Sequence, residues 1–249
     1  MSEPAVFAEN QEGAAPVLVL CDHATNRVPP CVNGGSLGIC AADMNRHIAF
    51  DIGALAVARL LAATLDAPLL ATNFSRLVID PNRGEDDPTL LMKLYDGTII
   101  EGNRHADATE KQRRLDAFHR PYHNAISTRL EAWLNAGITP AVISIHSFTP
   151  RLRGRGPRPW HIGVLWDEDR RMAQPLIEQL SENPALVVGS NEPYAGSYHG
   201  DTMYFHATRR GLPQVLIELR NDLIETEAGQ AQWAGVLAPV LSNILKGLD

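Results

Sequence analysis

The chain of 249 residues reads as α/β, with a three-layer, mostly parallel mixed sheet carrying helices on both faces. Three observations predict this. Short apolar runs alternate with longer stretches of helical periodicity, the order that builds parallel sheets. Two of those runs, 16–21 (PVLVLC) and 141–145 (AVISI), are almost wholly apolar, as strands buried on both faces are. Both lead straight into a histidine, His23 and His146, at the strand end where open α/β sheets place their ligands.

The elements follow in order. Residues 16–21 are the first strand. Residues 41–65 are apolar on most sides and predict one helix packed on the sheet, ended by Pro68, because proline disfavours helical geometry in the residue before it. Runs at 69–72 and 76–80 predict two short strands. Residues 84–109 are polar and irregular, a loop long enough to act as a lid or binding loop. From 110 to 135, Leu115, Phe118, Tyr122, Ile126 and Trp133 recur at helical spacing and Gly137 supplies the stop. Pro121 lies inside that helix and predicts a kink or break near His119. After the strand at 141–145, the stretch 151–159 (RLRGRGPRP) predicts a mobile surface loop. A strand at 161–166, a helix at 170–181, a strand at 214–219 and a terminal helix to about Leu245 complete the chain. No repeat or linker divides it, so residues 1–249 are expected to form one domain.

Composition narrows the function. A net charge of -7 argues against nucleic-acid binding, which needs a basic field. No apolar run approaches the roughly 20 residues that span a bilayer, and the N-terminus lacks the basic-then-apolar order of a signal peptide. Cys21, Cys31 and Cys40 form no C-x-x-C pair and cannot all be matched in disulfides, which fits a reducing compartment. The expectation is a cytoplasmic protein acting on a small molecule; a homo-oligomer is compatible with it.

Alone, either strand-end histidine reads as a core residue. Together they suggest two ligands of a hydrolytic metal site, whose third ligand would be His, Asp or Glu. Asn26, three residues after His23, offers only a neutral amide oxygen, so Asp51 is the better choice. A carboxylate in so apolar a segment needs a partner, which could be a metal or His47 one helical turn earlier. Glu218 ends another apolar run and could be a general base, or could pair with Arg220 on the same strand face. Arg76 and Arg83, with Arg220, are candidate anchors for a substrate carboxylate, or else surface ion pairs. His119 and His123 could support the site or lie on the surface; for His119 the surface is expected.

The segments CDHATNRVP, HIAFDIGA, NFSRLVIDPNR, HRPYHNAI, SIHSFTP and VLIELRNDLI, spanning residues 21–224 in this order, resemble the N-formylglutamate amidohydrolases, which are distantly similar to zinc carboxypeptidases and aspartoacylases. The resemblance implies a zinc-exopeptidase-like fold and hydrolysis of the amide of an N-acyl amino acid, such as N-formylglutamate. It implies zinc held by His23, Asp51 and His146, Glu218 as the catalytic carboxylate, and Arg76 and Arg83 near the substrate carboxylate, and His206 falls within a recurring segment of the family; on this mechanism Arg76 or His206 is expected to stabilise the oxyanion with the zinc. The chain carries Asp22-His23-Ala24-Thr25 where the histidine-degradation deformylases have a PHSG-like turn, which leaves the acyl group and amino acid open. A carboxypeptidase- or amidase-like hydrolase and a metal-free binding protein are the rival readings.

Overall fold

The computed structural model describes residues 4–248. Its frame is a seven-stranded sheet in the order β1-β3-β2-β6-β9-β7-β8, formed by β1 (Val6–Glu9), β2 (Val17–Cys21), β3 (Leu69–Thr72), β6 (Ala141–Phe148), β7 (Ile162–Leu165), β8 (Val188–Ser190) and β9 (Gln214–Arg220). A separate two-stranded ribbon pairs β4 (Leu94–Tyr95) with β5 (Thr98–Ile99). In the main sheet β3, β2, β6 and β9 run parallel to one another, and β8 runs parallel to β7. Only the β1–β3 and β7–β9 pairings are antiparallel, so the sheet is mixed and mostly parallel, as expected.

Every residue of β2, β3 and β6 is buried, because strand alternation sends neighbouring side chains to opposite faces and both faces are covered. Val17, Val19 and Cys21 pack with α2 (Ala54–Leu65), α6 (Ala173–Ser181) and α8 (Glu227–Lys246). Leu18 and Leu20 pack on the other face with Tyr122, Ile126 and Leu130 of α5 (Arg120–Asn135). A third apolar cluster, with Ile48, Phe74, Ile79 and Phe118, lies under the loops that carry the site.

Three expectations are corrected. The helix expected over 41–65 is two helices, α1 (Ala41–Met44) and α2, separated by turns. The intervening backbone has other partners: the Asp51 amide donates to the His23 carbonyl, while the Ala49 carbonyl accepts from Ser75 Oγ and the Arg76 amide. Gly53 then turns the chain at φ 79°, where a Cβ would lie 2.1 Å from the Ile224 carbonyl oxygen. Residues 76–80 are not a strand but a turn whose carbonyls are taken by buried side chains, Leu77 by Asn103 Nδ2 and Val78 by Arg114 Nη1. The loop expected over 84–109 contains the β4–β5 ribbon, α3 (Glu101–Arg104) and the start of α4 (Ala108–Arg114). Between α4 and α5 the backbone widens into one π-helical turn, Leu115–His119, which sets Pro121 in the first turn of α5, where a missing amide is tolerated. Arg151 and Pro157 form a single antiparallel bridge within the basic stretch. The sheet edges β1 and β8 were not foreseen.

Candidate active site

Parallel pairing of β2 with β6 brings the two histidines together at the carboxyl ends of their strands, with ring centroids 4.9 Å apart. The turn between α1 and α2 delivers Asp51 between them. Its Oδ2 lies 3.2 Å from His23 Nδ1, 2.8 Å from His146 Nδ1 and 3.2 Å from the Ser147 amide nitrogen. All three side chains are buried, and their ligand atoms lie within 4.8 Å of one another. His146 stands within β6 rather than past its end, since pairing with β9 runs on through His146↔Glu218.

The far nitrogen of each ring meets a further carboxylate: His23 Nε2 lies 2.7 Å from Asp80 Oδ1, and His146 Nε2 lies 3.0 Å from Asp22 Oδ2. These carboxylates are themselves held. Tyr122 donates to Asp22 Oδ1 at 2.7 Å, and Arg76 donates to Asp80 Oδ2 from Nε at 3.1 Å and Nη2 at 2.7 Å. Imidazoles oriented in this way by carboxylates are the usual surroundings of metal-ligating histidines. With both Nε2 atoms directed at carboxylates, each ring turns its Nδ1 toward Asp51 Oδ2. Three converging electron-pair donors are the set a cation satisfies, so these residues fit a metal ion.

Burial opposes ionisation of Asp51, yet His23 and His146 hold its pKa far below the ordinary carboxylate value. Burial lowers the His146 pKa, but hydrogen bonds to Asp22 and Asp51 outweigh it and raise the pKa well above normal. At Asp80, burial is overcome by Arg76 and then His23, and the pKa is held well below normal. Glu218 behaves oppositely: burial pushes its pKa up to about 7, only partly offset by His146. The residue is 7% exposed and its Oε2 is buried without a hydrogen-bond partner among the described residues.

The group lines a cavity of about 270 Å³ with Glu218, Arg76 and Arg83 on its walls, so of the residues singled out from sequence these six meet at one place. Arg76 is almost fully engaged, by Asp80 and by Asp51 Oδ1, 3.5 Å from Nη1. Arg83 is freer: its Nη1 donates to the Asn82 carbonyl, its plane lies over the Tyr198 ring, and its Nε is buried with no acceptor among the described residues.

Other candidates fall outside. Arg220 neither pairs with Glu218 nor reaches the cavity, because Asp222, two residues on, takes its Nε at 2.8 Å as the chain turns out of β9. Asn26 donates to the Met44 carbonyl and Asn45 Oδ1, away from the histidines. His47, displaced from Asp51 by the broken helix, lies with Nε2 3.5 Å from Asp96 Oδ2. His206, on α7 (Thr202–His206), lines a neighbouring cavity of about 460 Å³ with His119 and His123. His119 is not a surface residue: it is 4% exposed and donates from Nε2 to the Arg83 carbonyl. Sequence reasoning passed over Asp22, Asp80 and Asp201. The cue for the first two was present, since each directly adjoins an apolar run, the argument that singled out Asp51.

A sequence profile described as N-formylglutamate amidohydrolase matches residues 15–225. The chain belongs to this family. As a member of the N-formylglutamate amidohydrolase family, it is 30% identical to an N-formylglutamate deformylase of Pseudomonas aeruginosa over 159 residues, 57% of this chain and just over half, 56%, of that protein. It is 29% identical to an N-formylglutamate deformylase of Pseudomonas putida over 257 aligned positions, covering 95% of this chain and 92% of that one. Among solved structures, the gene product Atu2144 of Agrobacterium tumefaciens superposes with a TM-score of 0.92 at 38% identity, covering 99% of this chain and 96% of its own. The N-formylglutamate amidohydrolase of Ralstonia eutropha JMP134 shares the fold, with a TM-score of 0.65 at 22% identity and 98% of both chains covered.

Proposed function

We propose that the chain is a metal-dependent hydrolase cleaving the amide of an N-acyl amino acid by activated water, with an N-formyl amino acid such as N-formylglutamate as substrate. One observation carries the reading: a buried carboxylate with an unpartnered oxygen, Glu218, shares a small cavity with a buried His/Asp/His group that fits a metal ion. The family and the names of the relatives direct it to N-formylglutamate. All of residues 1–249 are read as one catalytic unit, and the free cysteines support a cytoplasmic setting.

Zinc held by His23, Asp51 and His146 would polarise the acyl carbonyl and bring the pKa of water toward 7. Glu218 Oε2 takes the proton of the attacking water and then delivers it to the leaving amine nitrogen. A carboxyl lifted by burial to about 7 suits both transfers, since a group titrating near the working pH can accept and return a proton. Asp80 and Asp22 hold the two imidazoles in place, and Arg76 holds Asp80. Arg76, with Nη1 3.5 Å from Asp51 Oδ1, stands beside the reacting centre and stabilises charge developing on the acyl oxygen. Arg83, with its uncommitted Nε, binds the substrate carboxylate.

The test is a panel of N-formyl, N-acetyl and N-succinyl amino acids, assayed with and without added zinc. The expected result is release of the free amino acid, abolished by chelation and by His146→Ala. Absence of turnover across the panel with zinc-loaded protein rejects the reading.

A further inference from the structure

The cavity wall carries a second carboxyl group, Asp201, which the reaction just described does not use. It is buried, and as the first cap of α7 its Oδ1 accepts the Tyr204 amide at 2.7 Å. No donor among the described residues meets its Oδ2. The segment is tied to the loop that bears Arg83: Thr202 donates from its amide to Asn82 Oδ1 at 2.9 Å and from Oγ to the Pro81 carbonyl at 3.4 Å. Arg83 and Asp201 are therefore fixed on the same wall, yet their contacts are with other groups, Arg83 with the Asn82 carbonyl and Tyr198, Asp201 with Tyr204. Two opposite charges are left facing one small ligand space.

A count of charges follows. N-formylglutamate carries two carboxylates, but Arg76 is held by Asp80 and Asp51 and serves the acyl oxygen, so Arg83 alone can pair with one of them. The other would face Asp201. Burial lifts the pKa of Asp201 to about 6, and the Tyr204 amide opposes a further rise, so the group is mainly anionic at neutral pH. Like charges in a partly dry site are unfavourable, and a carboxylate without a donor instead selects for one.

We propose that Asp201 is a specificity-determining residue that selects N-acyl amino acids whose side chain ends in a hydrogen-bond donor, a carboxamide or an amine, over those ending in a carboxylate. The inference rests on the hydrolase reading above and names the side-chain class that reading leaves open. Arg83 takes the α-carboxylate, Asp201 takes the side-chain donor, and the acyl group lies toward Glu218.

The experiment compares kcat/KM for N-formyl-L-glutamine, N-formyl-L-lysine and N-formyl-L-glutamate on the zinc-loaded enzyme, wild type and Asp201→Asn. Asparagine caps a helix as well as aspartate, so this variant removes the charge and keeps the cap, and its thermal melt checks the fold. Expected are a preference of about tenfold or more for at least one donor-bearing substrate over N-formylglutamate, the size of one charge-assisted contact, and its collapse to within about threefold in Asp201→Asn. Preference for N-formylglutamate in the wild type, or a ranking unchanged by Asp201→Asn, overturns the proposal while the hydrolase reading stands. If no N-acyl amino acid is turned over, the hydrolase reading fails instead. Calorimetric binding of the same three compounds to zinc-loaded Glu218→Gln then decides the role of Asp201: tighter binding of a donor-bearing compound supports it, and equal or tighter binding of N-formylglutamate overturns it.

Discussion

Glu218, the proposed general base, illustrates at the residue scale how a buried acid can weaken the fold that holds it. Its carboxyl titrates near 4.5 when exposed and near 7 in the folded chain, because burial penalises the charged form. Between those values the native state binds more protons than the unfolded state, so the linkage makes stability fall as pH rises from about 4.5 to 7. At 1.36 kcal/mol per pKa unit the cost above pH 7 is about 3 kcal/mol in the metal-free protein. Glu218→Gln abolishes the ionisation. The variant is expected to melt several degrees above wild type at pH 8 in chelator, to show a much smaller gain at pH 4.5, and to lose at least about 100-fold in turnover. Melting curves at the two pH values and steady-state assays with zinc check all three. Glu218 was legible in the sequence because an acid closing an apolar strand demands an explanation. Arg220 was misread by the same strand logic, since its fate depends on a turn beyond β9 that puts Asp222 within reach.

At the scale of elements, hydrophobic periodicity located the strands and helices of the frame but not the turns that carry chemistry. Residues 45–53 are apolar enough to read as helix, and only the pairing of Asp51 with His23 and of Ala49 with Ser75 and Arg76 in the fold shows why they are not. The π-helical turn was legible as a disturbance around Pro121, but its consequence was not. It ends at His119 and leads into α5, whose His123 lies tilted against it with ring centroids 4.3 Å apart; the two donate from Nε2 to the Arg83 and Pro81 carbonyls, both at 2.9 Å. These donations leave His123 Nδ1 as an acceptor, so His206 Nε2–H donates to it at 2.7 Å. The chain requires neutral rings. Burial lowers the pKa of His123 to about 4 and of His206 to about 3, and because both lie below the unfolded value of 6.5, stability is lost as pH falls from 6.5 toward 4. The slope is about 1.4 kcal/mol per pH unit for each histidine. His123→Phe is expected to flatten part of this acid loss. It should also raise KM by up to about tenfold with a smaller effect on kcat, since the loop bearing Arg83 loses a tether worth about 1 kcal/mol. Thermal melts from pH 4.5 to 7.5 and kinetics at pH 7.5 separate the two effects.

Across the whole molecule, the sheet order was foreseen only in outline, because β1 and β8 are four and three residues long and only partly buried, too short for periodicity to declare them. The candidate metal group is likewise a property of the assembled fold. Its three side chains come from the end of β2, the turn before α2, and β6, while Asp22 is reached from α5 on one face of the sheet. A cation there would tie together segments 28 and 95 residues apart in the chain. Binding to the folded state alone stabilises it in proportion to the logarithm of ion concentration over Kd, about 2.7 kcal/mol at a hundredfold excess. At roughly 2–4 °C per kcal/mol for a chain of this size, zinc should raise the melting temperature by about 5–10 °C. Protons compete for the same donors, so the gain should shrink on acidification, and Asp51→Asn should lose most of it at every pH. Elemental analysis of the loaded wild type is expected to give one ion per chain. A melting temperature indifferent to zinc, or a gain that survives Asp51→Asn, would show that the ion does not sit on this group.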